Sequence, residues 1–253
     1  MGRISRKSPE EIEMMREAGR IVGLILEEME QMAVPGMETM EMDRRAAEIA
    51  RSFGARMAFL GYHGFPANIC VSINEEVVHG IPSRRRLREG DIVSVDVGVE
   101  MKGWYGDAAA TFPVGRIAEQ AQRLLEVTKG ALRVGIEHAR VGLRLSQLAG
   151  AIQTYVESRG FSVVKDYVGH GIGRRLHEEP RVPNFVDTSV IRNDVVFEAG
   201  FTLAIEPMVT AGGSKVRRLA DGWTVVTADG SLSAHFEHTV AITDKGALIL
   251  TTP

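Results

Sequence analysis

The chain has 253 residues, 44% hydrophobic and 25% charged, with a formal net charge of -3. That is enough apolar material for a sizeable core, and the charge predicts neither wholesale nucleic-acid binding nor a membrane surface. Cys70 is the lone cysteine, so no disulfide forms within the chain, which fits a reducing cytoplasm, and the apolar runs are too short to cross a bilayer.

The amino-terminal MGRISRKSPEE is charged and lacks the apolar stretch of a secretory signal. Met1-Gly2 resembles a myristoylation start, but Arg6 stands where Ser or Thr is required. Ser8-Pro9-Glu10-Glu11 reads as a capped helix start. Ile12, Met15, Val22, Ile25, Leu26, Met29 and Met32 then keep helical spacing up to a stop at Pro35-Gly36. A second helix runs from about Thr39 to Gly54. Residues 92–98 and 104–114 read as a hairpin turning at Lys102-Gly103. A third helical pattern covers 117–139. Leu145, Leu148, Ile152, Tyr155 and Val156 mark a fourth, stopped by Gly160. Strand-like runs follow near 161–168, 201–210, 223–227 and 234–242.

The order repeats. Ala33, Gly36, Ser52 and Gly54 recur as Ala139, Gly142, Ser158 and Gly160, at a constant offset. Each half reads helix, glycine turn, helix, then strands carrying two acids. The expectation is an internal duplication, with halves at about 8–114 and 115–250 inside one domain spanning 1–253, since no Pro/Ser-rich linker divides them.

Five polar groups interrupt apolar runs: Asp96, Asp107, His170, Glu206 and Glu237. An unpaired buried carboxylate costs several kcal/mol or takes up a proton. Asp96 and Asp107 on neighbouring strands are also compatible with an ordinary solvated hairpin. His170 lies between Gly169 and Gly171, which allow close backbone approach. This Gly-x-Gly run lacks the spacing of a dinucleotide fingerprint. Glu206 and Glu237 sit inside β-rich runs, where a salt bridge to Arg is the ordinary explanation. Four carboxylates and one imidazole make sense together around two divalent cations, a donor set suited to hydrolysis.

The stretches GYHGFP, SINEEVVHGIP, VDVG, GDAAATF, GHGIGRRLHEEP, AIEPM and FEHT resemble those of the type I methionine aminopeptidases over roughly residues 8–250. The resemblance implies an α/β (α+β) pita-bread fold, two pseudo-symmetric halves with helices packed on a curved, largely antiparallel sheet. It implies that Asp96 chelates one metal, that Asp107 and Glu237 bridge two, and that His170 and Glu206 complete the other site. The metals would be two ions of Co, Mn, Fe or Zn. It implies removal of the initiator methionine from nascent proteins by a metal-bridging hydroxide, with Glu206 as general acid and base. His177 would steady the carbonyl oxygen and His79 would lie near the scissile amide. The methionine slot would be lined by Phe59, Tyr62, Phe65, Cys70, Leu176 and Trp223, with His79 at the rim. An unbranched thioether suits such a slot.

Phe59, Leu176, Tyr105 and the Ala108-Ala109 pair depart from the family's usual residues and leave the ligands untouched. Cys70, among the apolar residues of NICVSI, reads as a pocket wall rather than a nucleophile. Only about 90 residues precede Asp96, and 30 separate Glu206 from Glu237. The first count argues against prolidase-type relatives with an extra amino-terminal domain, and the second against the type II insertion. Arg84, Arg85, Arg86 and Arg88, and Lys215, Arg217 and Arg218, are either solvated loops or a docking surface for ribosomal RNA. The expected protein is a cytoplasmic monomer acting on peptides with amino-terminal Met. The competing readings are a peptidase of the same fold with another amino-terminal preference, and a binding module that lost catalysis.

Overall fold

The computed structural model describes residues 4–253, so the reading of Met1-Gly2 lies outside the described residues. Ser8 caps the first helix as its sequence suggests. Its Oγ accepts the Glu11 N–H at 3.3 Å, and the Glu11 carboxylate accepts the Ser8 N–H at 3.0 Å. Helix α1 (Pro9–Met32) ends just before Pro35, and α2 (Thr39–Ser52) follows. Strands β1 (Arg56–Met57), β2 (Cys70–Ile73) and β3 (Glu76–Val78) precede the long hairpin of β4 (Ile92–Met101) and β5 (Trp104–Pro113). The hairpin turn is two residues long, with Lys102 at φ 53° and Gly103 at φ 79°. Positive φ at both positions matches the twist of the strands it joins. β5 covers one edge of β4, while β1 and β2 share the other, all antiparallel.

The second half begins with α3 (Glu119–His138) and α4 (Leu145–Glu157). Strands β6 (Ser162–Val163), β7 (Gly169–Gly171) and β8 (Glu178–Val182) and the short α5 (Thr188–Arg192) come next. They are followed by β9 (Thr202–Ile205), β10 (Met208–Thr210), β11 (Val216–Arg218), β12 (Val225–Thr227), β13 (Ser233–His235), β14 (His238–Thr243) and β15 (Gly246–Ile249). One sheet has the order β15-β14-β9-β7-β8, and smaller ones run β13-β10-β6 and β11-β12-β3.

The sequence repeat has a conformational counterpart. Ala33 and Ala139 both close a helix, at φ/ψ of -74°/63° and -80°/72°. Gly36 and Gly142 both adopt the left-handed region, φ 90° and 84°, and donate to Leu87 O and Phe197 O at 2.8 and 2.9 Å. Gly54 and Gly160 repeat the pattern at φ 72° and 81°. In the first half Val22, Ile25, Met29 and Met42 pack on Val93, Val95 and Val97. In the second, Leu124, Leu132, Leu148 and Ile152 pack on Leu203, Ile205, Val240 and Ile242. A third cluster, with Met15, Trp104, Ile172, Leu176 and Leu250, contains residues from both halves.

The seam between the halves is hydrogen-bonded. Glu237 N–H donates to Ala109 O at 2.8 Å, and the Thr239 hydroxyl donates to Asp107 O at 2.7 Å while accepting the Asp107 N–H at 3.0 Å.

Four expected strands are shorter or broken. The run near 161–168 forms strand only over Ser162–Val163. In 223–227 the Asp221 carboxylate takes the N–H groups of Trp223 and Thr224, so the strand starts at Val225. The run 201–210 divides at Glu206-Pro207, where proline has no N–H to donate. The run 234–242 divides at Phe236-Glu237, where Glu237 changes partner to Ala109 of the other half.

Candidate metal centre

The site grows out of these strands. Asp96 leaves β4 opposite Ala109, and Asp107 leaves β5 opposite Gly98, so the two carboxyl groups lie diagonally across one ladder and against each other. His170 is the middle residue of β7. Glu206 and Glu237 occupy the two strand breaks. The flanking pairs Ile205–His238 and Met208–His235 share one register, which sets the two glutamates directly opposite each other. Like charges so placed oppose pairing. Together with Pro207 they account for the opening of the ladder there.

The tautomer of His170 follows from its neighbours. Its Nδ1 lies 2.8 Å from Gly171 O. A carbonyl only accepts, so Nδ1 carries the proton and Nε2 of the neutral ring keeps its lone pair. Burial pushes the His170 pKa down to about 3, so the ring is neutral at physiological pH. That lone pair points at Asp107 Oδ2 and Glu206 Oε1, each 3.7 Å away. Three electron-rich atoms facing one another are stable with a cation between them.

The carboxylates say the same. Asp96 Oδ1, Asp107 Oδ1 and Glu237 Oε1 are buried without a hydrogen-bond partner. Ligand atoms of Asp107, His170 and Glu237 lie within 4.8 Å of one another. Burial pushes Asp96 up to about 7 and moves Asp107, Glu206 and Glu237 well above the usual carboxylate range, with neighbouring carboxylates adding to the shift of the last three. Four such groups in one place suit a divalent metal site of hard oxygen donors plus one imidazole.

The same residues floor a cavity of about 250 Å³. Its walls include all the residues expected of a methionine slot: Phe59, Tyr62, Phe65, Cys70, His79, Leu176, His177 and Trp223. Phe65 and Trp223 meet edge to face at 5.1 Å. Tyr62 OH lies 2.7 Å from His177 Nδ1, and the His177 ring sits 4.1 Å from that of His170. Burial holds His79 down at about 4 and lowers His177. Both are neutral near pH 7. The Cys70 thiol is pushed well above its usual pKa by burial, so it is no thiolate nucleophile.

Sequence reasoning missed several residues. His63, at φ 50°, Tyr167 and Met208 also line the cavity. His235 is buried with Nε2 unpartnered, 3.8 Å from Glu206 Oε2 and 3.9 Å from Glu237 Oε2. Its position two before Glu237, on the same strand face, was the available signal. Asn184 is fully buried and donates to Glu206 O at 3.0 Å, holding the carbonyl that the break at Pro207 exposes. Nothing in the local sequence marks it.

The basic runs divide. Arg85 pairs with Glu76 and Arg86 with Glu38. Arg217 and Arg218 stand exposed on β11, and Arg218 lies near enough to His79 to disfavour its protonation.

The model of metallopeptidase family M24 matches residues 13–244, and the chain belongs to that family. Methionine aminopeptidase 1 of Bacillus subtilis (strain 168) is 51% identical over 245 residues, covering 97% of this chain and 98% of its own. The crystal structure of a methionine aminopeptidase from Thermotoga maritima superposes with a TM-score of 0.96 at 47% identity, covering 99% of this chain and all of the other. A prolidase from Pyrococcus furiosus shares the fold at a TM-score of 0.76 and 21% identity, and only 65% of that longer chain is covered. The fold is thus the pita-bread arrangement, and the buried Asp/His/Glu cluster is a divalent-metal site. Among the described residues no helix is long and apolar enough to cross a membrane.

Proposed function

We propose that the chain hydrolyses the peptide bond after an amino-terminal methionine, as an aminopeptidase acting on new proteins. The observation that carries this is the convergence of four buried carboxylates and the lone pair of His170 at the floor of a small aromatic-walled cavity. Asp96 would hold one ion, His170 and Glu206 the other, with Asp107 and Glu237 shared between them. The donors suit two ions drawn from Co, Mn, Fe or Zn. Such ions, when bound, acidify water and polarise a carbonyl.

The chain's own side chains do the rest. Glu206 accepts the proton of the attacking water and returns it to the leaving amine. Neutral His177, its Nδ1 occupied by Tyr62, turns Nε2 toward the carbonyl oxygen of the scissile bond. His79 lies beside the departing amide. Phe59, Tyr62, Phe65, Cys70, Leu176 and Trp223 exclude water and seat the thioether side chain.

The protein is further proposed to be a cytoplasmic monomer. Arg84, Arg88, Lys215, Arg217 and Arg218 would make transient, salt-sensitive contact with ribosomal RNA near the emerging chain. Association with ribosomes that is absent or indifferent to salt would dispose of that contact.

The main test is release of free Met from Met-Gly-Met-Met by metal-stripped protein, with and without Co²⁺ or Mn²⁺. Metal-dependent release, with Ala-first and N-acetylated peptides left intact, is the expected result. Tight metal binding with no release would favour another amino-terminal preference or a binding role.

A further inference from the structure

Lys7 is a charged residue in a charged amino-terminal run, yet its ammonium is buried. Residues 4–8 lie across the second half before α1 begins. Arg6 Nε donates to Ala199 O at 3.1 Å, Lys7 N–H donates to Gly200 O at 2.8 Å, and the Ser8 capping box fixes the next residue. From this strap the Lys7 side chain enters the 171–178 loop. There Nζ meets Glu178 Oε2 at 2.7 Å, with side chains only 2% and 7% exposed.

The loop is built around that contact. The other oxygen of Glu178 accepts the Arg175 N–H at 3.1 Å. Gly173 N–H donates to Arg175 O at 3.1 Å, and Tyr105 N–H donates to Gly173 O at 3.0 Å. A Cβ on Gly173 would collide with Lys7 Cε, so the loop closes on the lysine stem with no room to spare. Residue 177 directly precedes Glu178. The anchored Glu178 carboxylate therefore fixes the backbone from which the His177 imidazole projects, and Tyr62 OH meets that ring at Nδ1.

A buried ion pair contributes little net stability compared with apolar residues of similar volume. Its strength is in fixing geometry, because two charges removed from water tolerate few alternative positions. We propose that Lys7, from 170 residues away, is a positioning residue for the hydrolysis: through Glu178 it sets the aim of the His177 imidazole. The inference rests on the role proposed above for His177. It adds that the amino-terminal strap is part of the working site and not only a tether.

The test compares Lys7→Met with Lys7→Met/Glu178→Met, both metal-loaded, on Met-Gly-Met-Met. The double variant removes the stranded charge and should keep a Tm near that of the parent. Its kcat should nonetheless fall about ten- to a hundredfold with KM moved less than about twofold, as expected for a misaimed group. In a His177→Ala background the Lys7 change should lower kcat no further. In the NMR spectrum the His177 Cε1–H signal should shift or broaden in the double variant while that of His138, at the end of α3, stays in place. Should the double variant not fold, Lys7→Gln/Glu178→Gln, which removes both charges and keeps polar side chains, carries the same comparison.

A double variant with parental kcat overturns the inference, and so does a Lys7 effect that persists in full without His177. If His177→Ala itself leaves kcat unchanged, the role assigned to His177 fails and the inference with it. A crippled His177→Ala beside an active Lys7 variant sinks the inference alone.

Discussion

The two halves share a helical frame and place their acids in opposite ways. In the first half Asp96 and Asp107 sit on an unbroken hairpin of two ten-residue strands, diagonal to each other, and the ladder passes both without interruption. In the second half Glu206 and Glu237 face each other directly, and the ladder opens at that pair. A glutamate has one more methylene than an aspartate, and each here starts from a break in its own ladder, Glu206 beside Pro207 and Glu237 paired with Ala109 of the other half instead. The first half thus provides a rigid wall. The second provides reach, with the carbonyl of Glu206 held by Asn184 in place of a strand partner. Under the roles proposed above, the one group that moves protons, Glu206, lies on the side with reach, and both acids on the wall, Asp96 and Asp107, only hold.

The sharpest way to break this comparison is to exchange function between its members. Glu206→Gln keeps shape and one ligand oxygen but removes the proton acceptor. A loss of about 10²–10⁴ in kcat/KM is expected, largely in kcat, with the fold intact by circular dichroism. Asp96→Asn should act differently, by weakening metal binding, so that part of its lost rate returns at high metal concentration. Equal and metal-insensitive losses in both variants would show that the two halves do not divide holding from proton transfer.

Metal removal probes the same contrast through stability. In the metal-free protein the four carboxyls have raised folded-state pKa values, so the folded state binds more protons than the unfolded one. Stability then falls as pH rises, beginning near the ordinary carboxylate value and continuing through the folded value. For Asp96 that window runs from 3.8 to about 7. The stripped protein should therefore show a Tm that declines across this range, and the loaded protein should not. Glu206→Gln should flatten the decline in the stripped protein, because it removes one of the opposed pair. A stripped protein whose Tm rises with pH over that window would mean the carboxylates are compensated by something other than metal.

Much of this was legible from sequence, for an identifiable reason. Asp96, Asp107, His170, Glu206 and Glu237 each break an apolar run, and such a break is visible wherever strands are buried on both faces. The helices were legible from spacing and from capping residues such as Ser8 and Glu11. The strand breaks were half legible: Pro207 announces one, but nothing local announces the partner switch at Glu237, which depends on Ala109 of the other half. His235, Asn184 and Lys7 escaped notice because their importance is burial against distant residues. Lys7 sits in a run that reads as solvated, and only the tertiary fold brings Glu178 to it.

The smallest effect tests the duplication itself. Gly36 and Gly142 both have φ near 90°, both begin the approach to the second helix of their half, and neither has a neighbour within 4 Å of a built Cβ. Space is therefore no obstacle, and the cost of Gly→Ala at either site is backbone strain alone. That strain is about 1–2 kcal/mol for an L-residue held left-handed, offset slightly by the stiffer unfolded chain. Gly36→Ala and Gly142→Ala should each lower unfolding free energy by this amount, equally, and the double variant by the sum, since the sites share no partners. Denaturant midpoints with unchanged m-values would read this out. Unequal losses would show that the second half, already opened at Glu206 and Glu237, tolerates strain differently from the wall it faces.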